Sequence, residues 1–158
     1  MFSFQTLQKI PVVCLMLMLL AACALCDVDI HPHDQWLSFQ KKHIKKDMEI
    51  KRCDAEIKKR SIFEMKEKVK VCKPVNTFIL SEASNVSSVC ESGEKCGEDG
   101  NLIKSKTRFD IVVCRLNKNC KYPECKYTGR KLTKKIIIID CKGGYPVHYN
   151  GNNYYCNN

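Results

Sequence analysis

The hydrophobic and polar positions divide the chain into a helical first part and a strand-rich second part. In residues 34–46, Trp36, Phe39 and His43 recur at the spacing of one helix face, which predicts an amphipathic helix with His43 at the edge of a buried stripe. Residues 49–63 repeat this period with lysines on the opposite face, which predicts a second helix. The first part of the chain is therefore expected to supply most of the helices.

Runs of β-branched and aromatic residues, separated by polar breaks, follow in the second part. Ile136–Ile139 form an uninterrupted β-branched run that is expected to lie largely buried in a sheet. The predicted strands span 73–80, 107–115, 125–128, 135–141 and 145–150, with a short helical or turn segment at 81–88 and loops at 64–70 and 90–100. Helices followed by strands predict an α+β domain.

Residues 1–26 have the pattern of a secretory signal peptide. Lys9 supplies the positive start, and the apolar run at 12–22 is too short to span a bilayer comfortably. Cleavage after Ala24 and cleavage after Cys26 both satisfy the small-x-small rule, and we prefer the second. The protein is therefore expected to be secreted and extracellular.

Residues 27–158 are expected to form one domain that begins with a flexible leader at 27–33. His31 and His33 flank Pro32 in this leader and could bind a metal, but we interpret them as part of a solvated terminus. No metal site is predicted.

The charge of the chain indicates its class of partner. The formal net charge is +10 at pH 7 over 158 residues, and nearly all of it lies outside the signal peptide. Solubility alone does not require so much charge on a small domain. A secreted basic domain is expected to bind polyanions such as nucleic acid, anionic glycans or bacterial membranes.

The cysteines predict a disulfide framework and not a zinc site. Cys120 and Cys125 are close in sequence, but no second pair at zinc-finger spacing accompanies them. The cysteines outside the signal peptide are Cys53, Cys72, Cys90, Cys96, Cys114, Cys120, Cys125, Cys141 and Cys156. In the same secreted context, Asn85 stands in an Asn-Val-Ser sequon and could carry a surface glycan.

The richest candidate chemistry lies at residues 72–78, where a cysteine is followed by Lys73, Asn76 and Thr77. A lysine beside a crosslinked cysteine has a fixed backbone, so its ammonium can be aimed. One histidine precedes this stretch on the first helix, and His148 follows it near the end of the chain.

Together these residues resemble the pancreatic-type ribonuclease (ribonuclease A) superfamily, and its frog-type, onconase-like members most of all. The motifs are Trp-Leu-x-Phe-Gln-Lys-Lys-His-Ile at 36–44, Cys-Lys-x-x-Asn-Thr-Phe at 72–78, Lys-Tyr-Pro-x-Cys at 121–125 and Pro-Val-His-Tyr at 146–149. The resemblance implies a small disulfide-rich domain with about three helices packed on a V-shaped antiparallel sheet. The stretch between Cys53 and Cys72 is longer than is usual in that family, which indicates an insertion.

The resemblance also implies the disulfide pairing Cys53–Cys114, Cys72–Cys125 and Cys90–Cys141. For two of the remaining cysteines we guess a Cys96–Cys156 bridge. Cys120 would then be free, paired with Cys26 under the other cleavage, or used to dimerise.

By the same resemblance, His43 is a general base, His148 a general acid and Lys73 a stabiliser of phosphoryl charge. No cofactor is implied. The substrate is single-stranded RNA, cleaved 3′ of pyrimidines through a 2′,3′-cyclic phosphate that is then hydrolysed. The residues implied in substrate binding are Lys42, Asn76, Thr77 and Tyr149.

Two positions depart from the family pattern. Val113 stands where an acid often tunes base choice, and Asn150 stands where an acid often orients the second histidine. The alternative hypotheses are a weakly catalytic or non-catalytic cationic protein of host defence that binds glycans or membranes, and an angiogenin-like factor on the same scaffold. A monomer is expected.

Overall fold

The computed structural model describes residues 31–97 and 100–152. The predicted signal peptide, most of the predicted leader and Cys156 lie outside these residues. In the described part of the chain, no helix combines the length and the apolar character needed to cross a membrane.

In the described residues, two helices and a 3-10 turn precede the first strand, two short helices follow the third strand, and the paired strands are antiparallel, which confirms the α+β prediction. The helices are α1 (Pro32–His43), a 3-10 turn (Ile50–Arg52), α2 (Cys53–Lys59), α3 (Ala83–Ser87) and α4 (Val89–Ser92). The strands are β1 (Glu64–Lys66), β2 (Val69–Val71), β3 (Val75–Ile79), β4 (Glu94–Lys95), β5 (Leu102–Lys104), β6 (Phe109–Leu116), β7 (Tyr127–Lys135), β8 (Ile138–Lys142) and β9 (Tyr145–Gly151). They form a β1-β2 hairpin, a β3-β6-β7 sheet and a β4-β5-β8-β9 sheet.

Helix α1 begins earlier and ends earlier than predicted. Pro32 stands in its first turn, where a missing N–H costs nothing, and the His31 side chain accepts a hydrogen bond from the His33 amide at 3.3 Å. Pro32 and His33 are therefore helical and do not belong to a flexible leader. The helix ends at His43 because Ile44 is extended and bridges to Ile79 of β3. This end places His43 against the sheet.

The predicted second helix is shorter than expected, and a hairpin replaces the predicted loop at 64–70. Ser61 has φ 52°, a left-handed conformation that stops the helical path after α2. Strands β1 and β2 are joined by Glu67 and Lys68, which both have positive φ, as a tight two-residue hairpin turn requires. The hairpin occupies the stretch interpreted as an insertion.

The β3-β6-β7 sheet has a hydrophobic core on each face. Along β6, Ile111 and Val113 pack into one core with Trp36 and Phe39, while Val112 and Cys114 pack into the other. The period-2 alternation of a strand produces this division. The isoleucine run is largely buried as predicted, since three of its four members are buried and Ile136 is partly so.

Three disulfides cross-link these elements: Cys53–Cys114, Cys72–Cys125 and Cys90–Cys141. These are the pairs that the resemblance implies. Cys96 is buried and disulfide-bonded; because Cys156 lies outside the described residues, its pairing stays a prediction. Cys120 is a half-buried free thiol.

Candidate active site

A cleft of about 770 Å³ opens between α1, the β3-β6-β7 sheet and β9. Its lining residues include three groups of candidate chemistry, His43, Lys73 and His148. The other predicted site residues on its wall are Lys42, Thr77 and Tyr149. Sequence positions more than 100 residues apart therefore meet in one cavity.

His43, the last residue of α1, is buried with 7% of its surface exposed. Its Nδ1 lies 2.8 Å from the backbone carbonyl oxygen of Thr77. A carbonyl can only accept, so Nδ1 carries the proton and Nε2 keeps its lone pair. The ring lies between Phe39, at 5.1 Å, and Tyr149, which stacks on it at 5.4 Å. These contacts fix both the tautomer and the orientation of the imidazole.

The surroundings of His43 keep it neutral. Burial lowers its pKa most, and the nearby cations of Lys73 and Lys42 lower it further, to about 3, although the hydrogen bond with Thr77 opposes this shift. In the free protein the imidazole is therefore unprotonated at neutral pH. A neutral imidazole with a free Nε2 can accept a proton.

Lys73 is held at both ends. Its backbone carbonyl accepts a hydrogen bond from the Tyr127 hydroxyl at 3.0 Å, and the Cys72–Cys125 bridge anchors the preceding residue. Its Nζ donates to Oδ1 of Asn76 at 3.1 Å. Burial lowers the pKa of Lys73 most, followed by the charge of Lys42. The ammonium is thus aimed and partly removed from water.

Asn76 lies behind the cleft and not on its wall. The resemblance implies instead that Asn76 contacts the substrate. Only 1% of its surface is exposed, and its Nδ2 donates to the carbonyl oxygen of Lys42 at 2.9 Å. Its amide therefore links the end of α1 to the Lys73 ammonium. This geometry supports a positioning role for Asn76, with the base-facing role left to Thr77.

His148 reaches the cleft from β9, the edge strand of the four-stranded sheet, where it pairs with Asp140 of β8. In contrast to His43, it is exposed. Asn150, two residues further along the same strand, also lines the cleft. Water can therefore reach the His148 imidazole.

Two arginines on the cleft wall were not predicted. Thr77 pairs with Val113 on β6, and Val113 pairs with Arg130 on β7, so these three residues form one row across the sheet. Arg115 lies two residues beyond Val113 on the same face. The i, i+2 spacing could have identified Arg115, but the predicted strand 125–128 stops short of Arg130.

The remaining predicted site, Asn85, is exposed on α3, and its side chain lies 3.4 Å from Ser81 Oγ. Its glycosylation stays a prediction. In residues 31–97 and 100–152, no three His, Cys, Asp or Glu side chains cluster as a metal site would require.

Comparisons with known proteins converge on one family. The sequence model described as "Pancreatic ribonuclease" matches residues 34–150. The chain is 35% identical over 79 residues to "Ribonuclease-like 3" of Danio rerio, covering 49% of this chain and 52% of that protein. It is 42% identical over 81 residues to "Ribonuclease pancreatic" of Osphranter rufus, covering 49% and 66%. The matches thus span about half to two thirds of these curated relatives.

Solved ribonuclease structures are similar to a larger share of the chain. The structure of zebrafish RNase5 is 31% identical with a TM-score of 0.64, covering 75% of this chain and 93% of its own. Green turtle egg white ribonuclease is 28% identical with a TM-score of 0.64, covering 75% and 98%.

Proposed function

The chain belongs to the pancreatic ribonuclease family, and from this premise we propose that it is an endoribonuclease that cleaves single-stranded RNA without a metal. The observation that carries the proposal is that a neutral buried imidazole, an aimed ammonium and an exposed imidazole line one cleft. These are the three groups that transphosphorylation of RNA uses.

In the first step, Nε2 of His43 takes the proton of the ribose 2′-hydroxyl. The 2′-oxygen attacks phosphorus, and the bond from phosphorus to the 5′-oxygen breaks. His148, carrying a proton, donates it to the leaving 5′-oxygen, so the products are a 2′,3′-cyclic phosphate and a 5′-hydroxyl. DNA lacks the internal nucleophile and is not a substrate.

In the second step the roles reverse, and water opens the cyclic phosphate. Lys73 donates to the non-bridging oxygens while negative charge grows on them. A bound phosphate also places negative charge beside His43, which raises the pKa of that imidazole from its value in the free protein. The same side chain can therefore hold the proton that the second step needs.

Thr77 is proposed to read a pyrimidine on the 5′ side of the scissile bond, with the Tyr149 ring packed near that base. Lys42, exposed on the cleft wall, contacts a phosphate. We further propose that the chain is related most closely to the frog-type members of the family. The lysine that precedes His43 supports this.

We further propose that residues 1–26 direct secretion and that residues 27–158 act outside the cell as a monomeric domain. The three described disulfides support an oxidising compartment. Anionic glycans and membranes remain proposed secondary partners, through the net positive charge.

The test is cleavage of a fluorogenic oligodeoxynucleotide that contains one ribonucleotide. We expect turnover by the oxidised protein, none on an all-DNA control, and a loss of about 10²–10⁴-fold in His148→Ala. His33→Gln changes a histidine outside the cleft and should keep the activity. Absence of turnover from a correctly oxidised sample would contradict the proposal and favour the non-catalytic binding protein.

A further inference from the structure

We propose, on the premise that the chain is the ribonuclease described above, that the Tyr149 hydroxyl makes the cleft select cytidine over uridine. It does so as a positioning residue, by fixing the direction in which the Thr77 hydroxyl points. Tyr149 thereby sets the base preference of the cleft without itself needing to bond to the base.

The Tyr149 hydroxyl oxygen is a buried polar atom inside the cleft. It is shielded from water and makes no hydrogen bond of good geometry within the described residues. Buried hydroxyls in folded proteins nearly always have a partner. Thr77 lines the same cleft as Tyr149, and its side chain also acts on the pKa of the phenol. A hydrogen bond between the two hydroxyls would give the buried phenol oxygen the partner that it lacks.

In such a pair, Tyr149 is the donor. Burial raises the pKa of the phenol above its usual range, so the group stays protonated. A phenol is also more acidic than an aliphatic hydroxyl, and hence the better donor and the poorer acceptor. The Thr77 oxygen therefore accepts the phenol proton, and the proton of Thr77 itself is free to point into the cleft.

A donor at Thr77 distinguishes the two pyrimidines at N3. In cytosine, N3 is an acceptor, and it can take the Thr77 proton. In uracil, N3 carries a hydrogen and needs an acceptor, so the Thr77 proton would have to turn away from the base. The phenol consequently favours cytosine, and its removal would let the Thr77 hydroxyl serve either base.

The other neighbours of Thr77 do not reverse this bias. Val113, directly opposite on β6, offers no acceptor that could draw the Thr77 proton away from the base. Arg130, the next residue of that row, is a donor that could favour the O4 of uracil. Its side chain is exposed, so water weakens its effect relative to that of the buried phenol.

The experiment measures the Kd of 2′-deoxycytidine 3′-phosphate and of 2′-deoxyuridine 3′-phosphate, which bind without being cleaved. We expect the wild type to bind the cytidine nucleotide more tightly. Tyr149→Phe keeps the ring that stacks on His43 and should reduce the cytidine preference roughly 3- to 10-fold, the size of one neutral hydrogen bond. Tyr145→Phe, which removes a phenol outside the cleft, should leave the ratio unchanged.

A second variant excludes a general structural effect. In a Thr77→Val background, Tyr149→Phe should no longer change the ratio, because the hydroxyl through which the phenol acts is gone. An unchanged ratio in Tyr149→Phe alone would overturn the inference, as would a uridine preference that disappears in Arg130→Ala. Since the readout is binding, loss of the proposed ribonuclease activity would leave this result intact, and the two failures can be told apart.

Discussion

The two histidines of the cleft lie in opposite surroundings. His43 ends a helix, is buried, donates to the Thr77 carbonyl and lies beside two lysines. His148 stands on the edge strand β9, exposed to water. A general base must be unprotonated before the reaction, and burial near cations provides this. The proposed general acid must reach the leaving oxygen and, in the second step, the attacking water, and exposure at the cleft provides that access.

The two sides of the cleft also differ in the contacts that hold the residues around each histidine. On the His43 side, Asn76 joins the end of α1 to Lys73, and a disulfide fixes the neighbouring backbone. On the His148 side, the residue two positions further along β9 is the neutral Asn150, which brings no charge near the imidazole. The buried side is therefore pre-organised, and the exposed side is left adjustable.

Apart from the loss of either histidine, the largest expected effect comes from removing the Lys73 ammonium on the buried side of the cleft. Lys73→Ala should lower kcat/KM by about 10²–10³-fold, because the ammonium stabilises charge that develops only in the transition state. Lys46→Ala, which removes an exposed lysine paired with Glu82, is the matched control. A Lys73→Ala variant within tenfold of the wild type would show that the ammonium does not act on the phosphoryl oxygens.

The next largest effect concerns the pH dependence of kcat/KM, which differs between an ordinary imidazole and the buried His43. An imidazole with the ordinary pKa of about 6.5 would be only a few per cent neutral at pH 5, which would reduce kcat/KM about 30-fold. Because the pKa of His43 is lowered to about 3, the base stays neutral there, and kcat/KM should fall little between pH 7 and pH 5. An acidic limb with its midpoint near pH 6.5 would contradict the neutral, buried state of His43.

A smaller effect is expected from removing the Asn76 amide, which links Lys73 to the end of α1 behind the cleft. Asn76→Ala should lower kcat about tenfold with little change in KM, because Lys73 loses the partner that aims it. The partly buried Lys42 carbonyl loses its donor as well, so the free energy of unfolding should fall by about 1–3 kcal/mol. Asn85→Ala, at an exposed asparagine, is the control. Unchanged kcat would return Asn76 to a purely structural role.

The smallest expected effect concerns the pH dependence of the exposed side, where His148 lies. Asn150→Asp adds a carboxylate near His148, and exposed ion pairs contribute about 0.2–1 kcal/mol. We therefore expect the alkaline limb of the pH–rate profile to move to higher pH by less than one unit. A shift to lower pH would mean that the new carboxylate does not act on the imidazole.

The local motifs were sufficient to predict three candidate catalytic residues that line one cleft, while contacts between distant segments were not predictable. Lys73 and Thr77 of the 72–78 motif share a cavity with the two histidines, whereas Asn76 lies behind it. The length of β7 was missed because Gly129 resembles a strand end. In the fold this glycine lets the strand approach the 3-10 turn, since a Cβ there would lie 2.4 Å from the Ile50 carbonyl oxygen.

The sequence also failed to predict the β1–β2 hairpin and the burial of Asn76. The β1–β2 turn uses Glu67 and Lys68 at positive φ, where glycine or asparagine would have marked a hairpin in the sequence. The burial of Asn76 depends on α1 ending against β3, which no local pattern contains.

The most direct test of the division between the two histidines uses a nucleoside 3′-aryl phosphate with a nitrophenol leaving group. Nitrophenolate is stable without a proton, so this substrate needs a base but no acid. We predict that His148→Ala cleaves it at close to the wild-type rate while losing RNA cleavage, and that His43→Ala loses both activities. Equal losses on both substrates in His148→Ala, or aryl phosphate cleavage retained in His43→Ala, would contradict the assignment of His43 as the base and His148 as the acid.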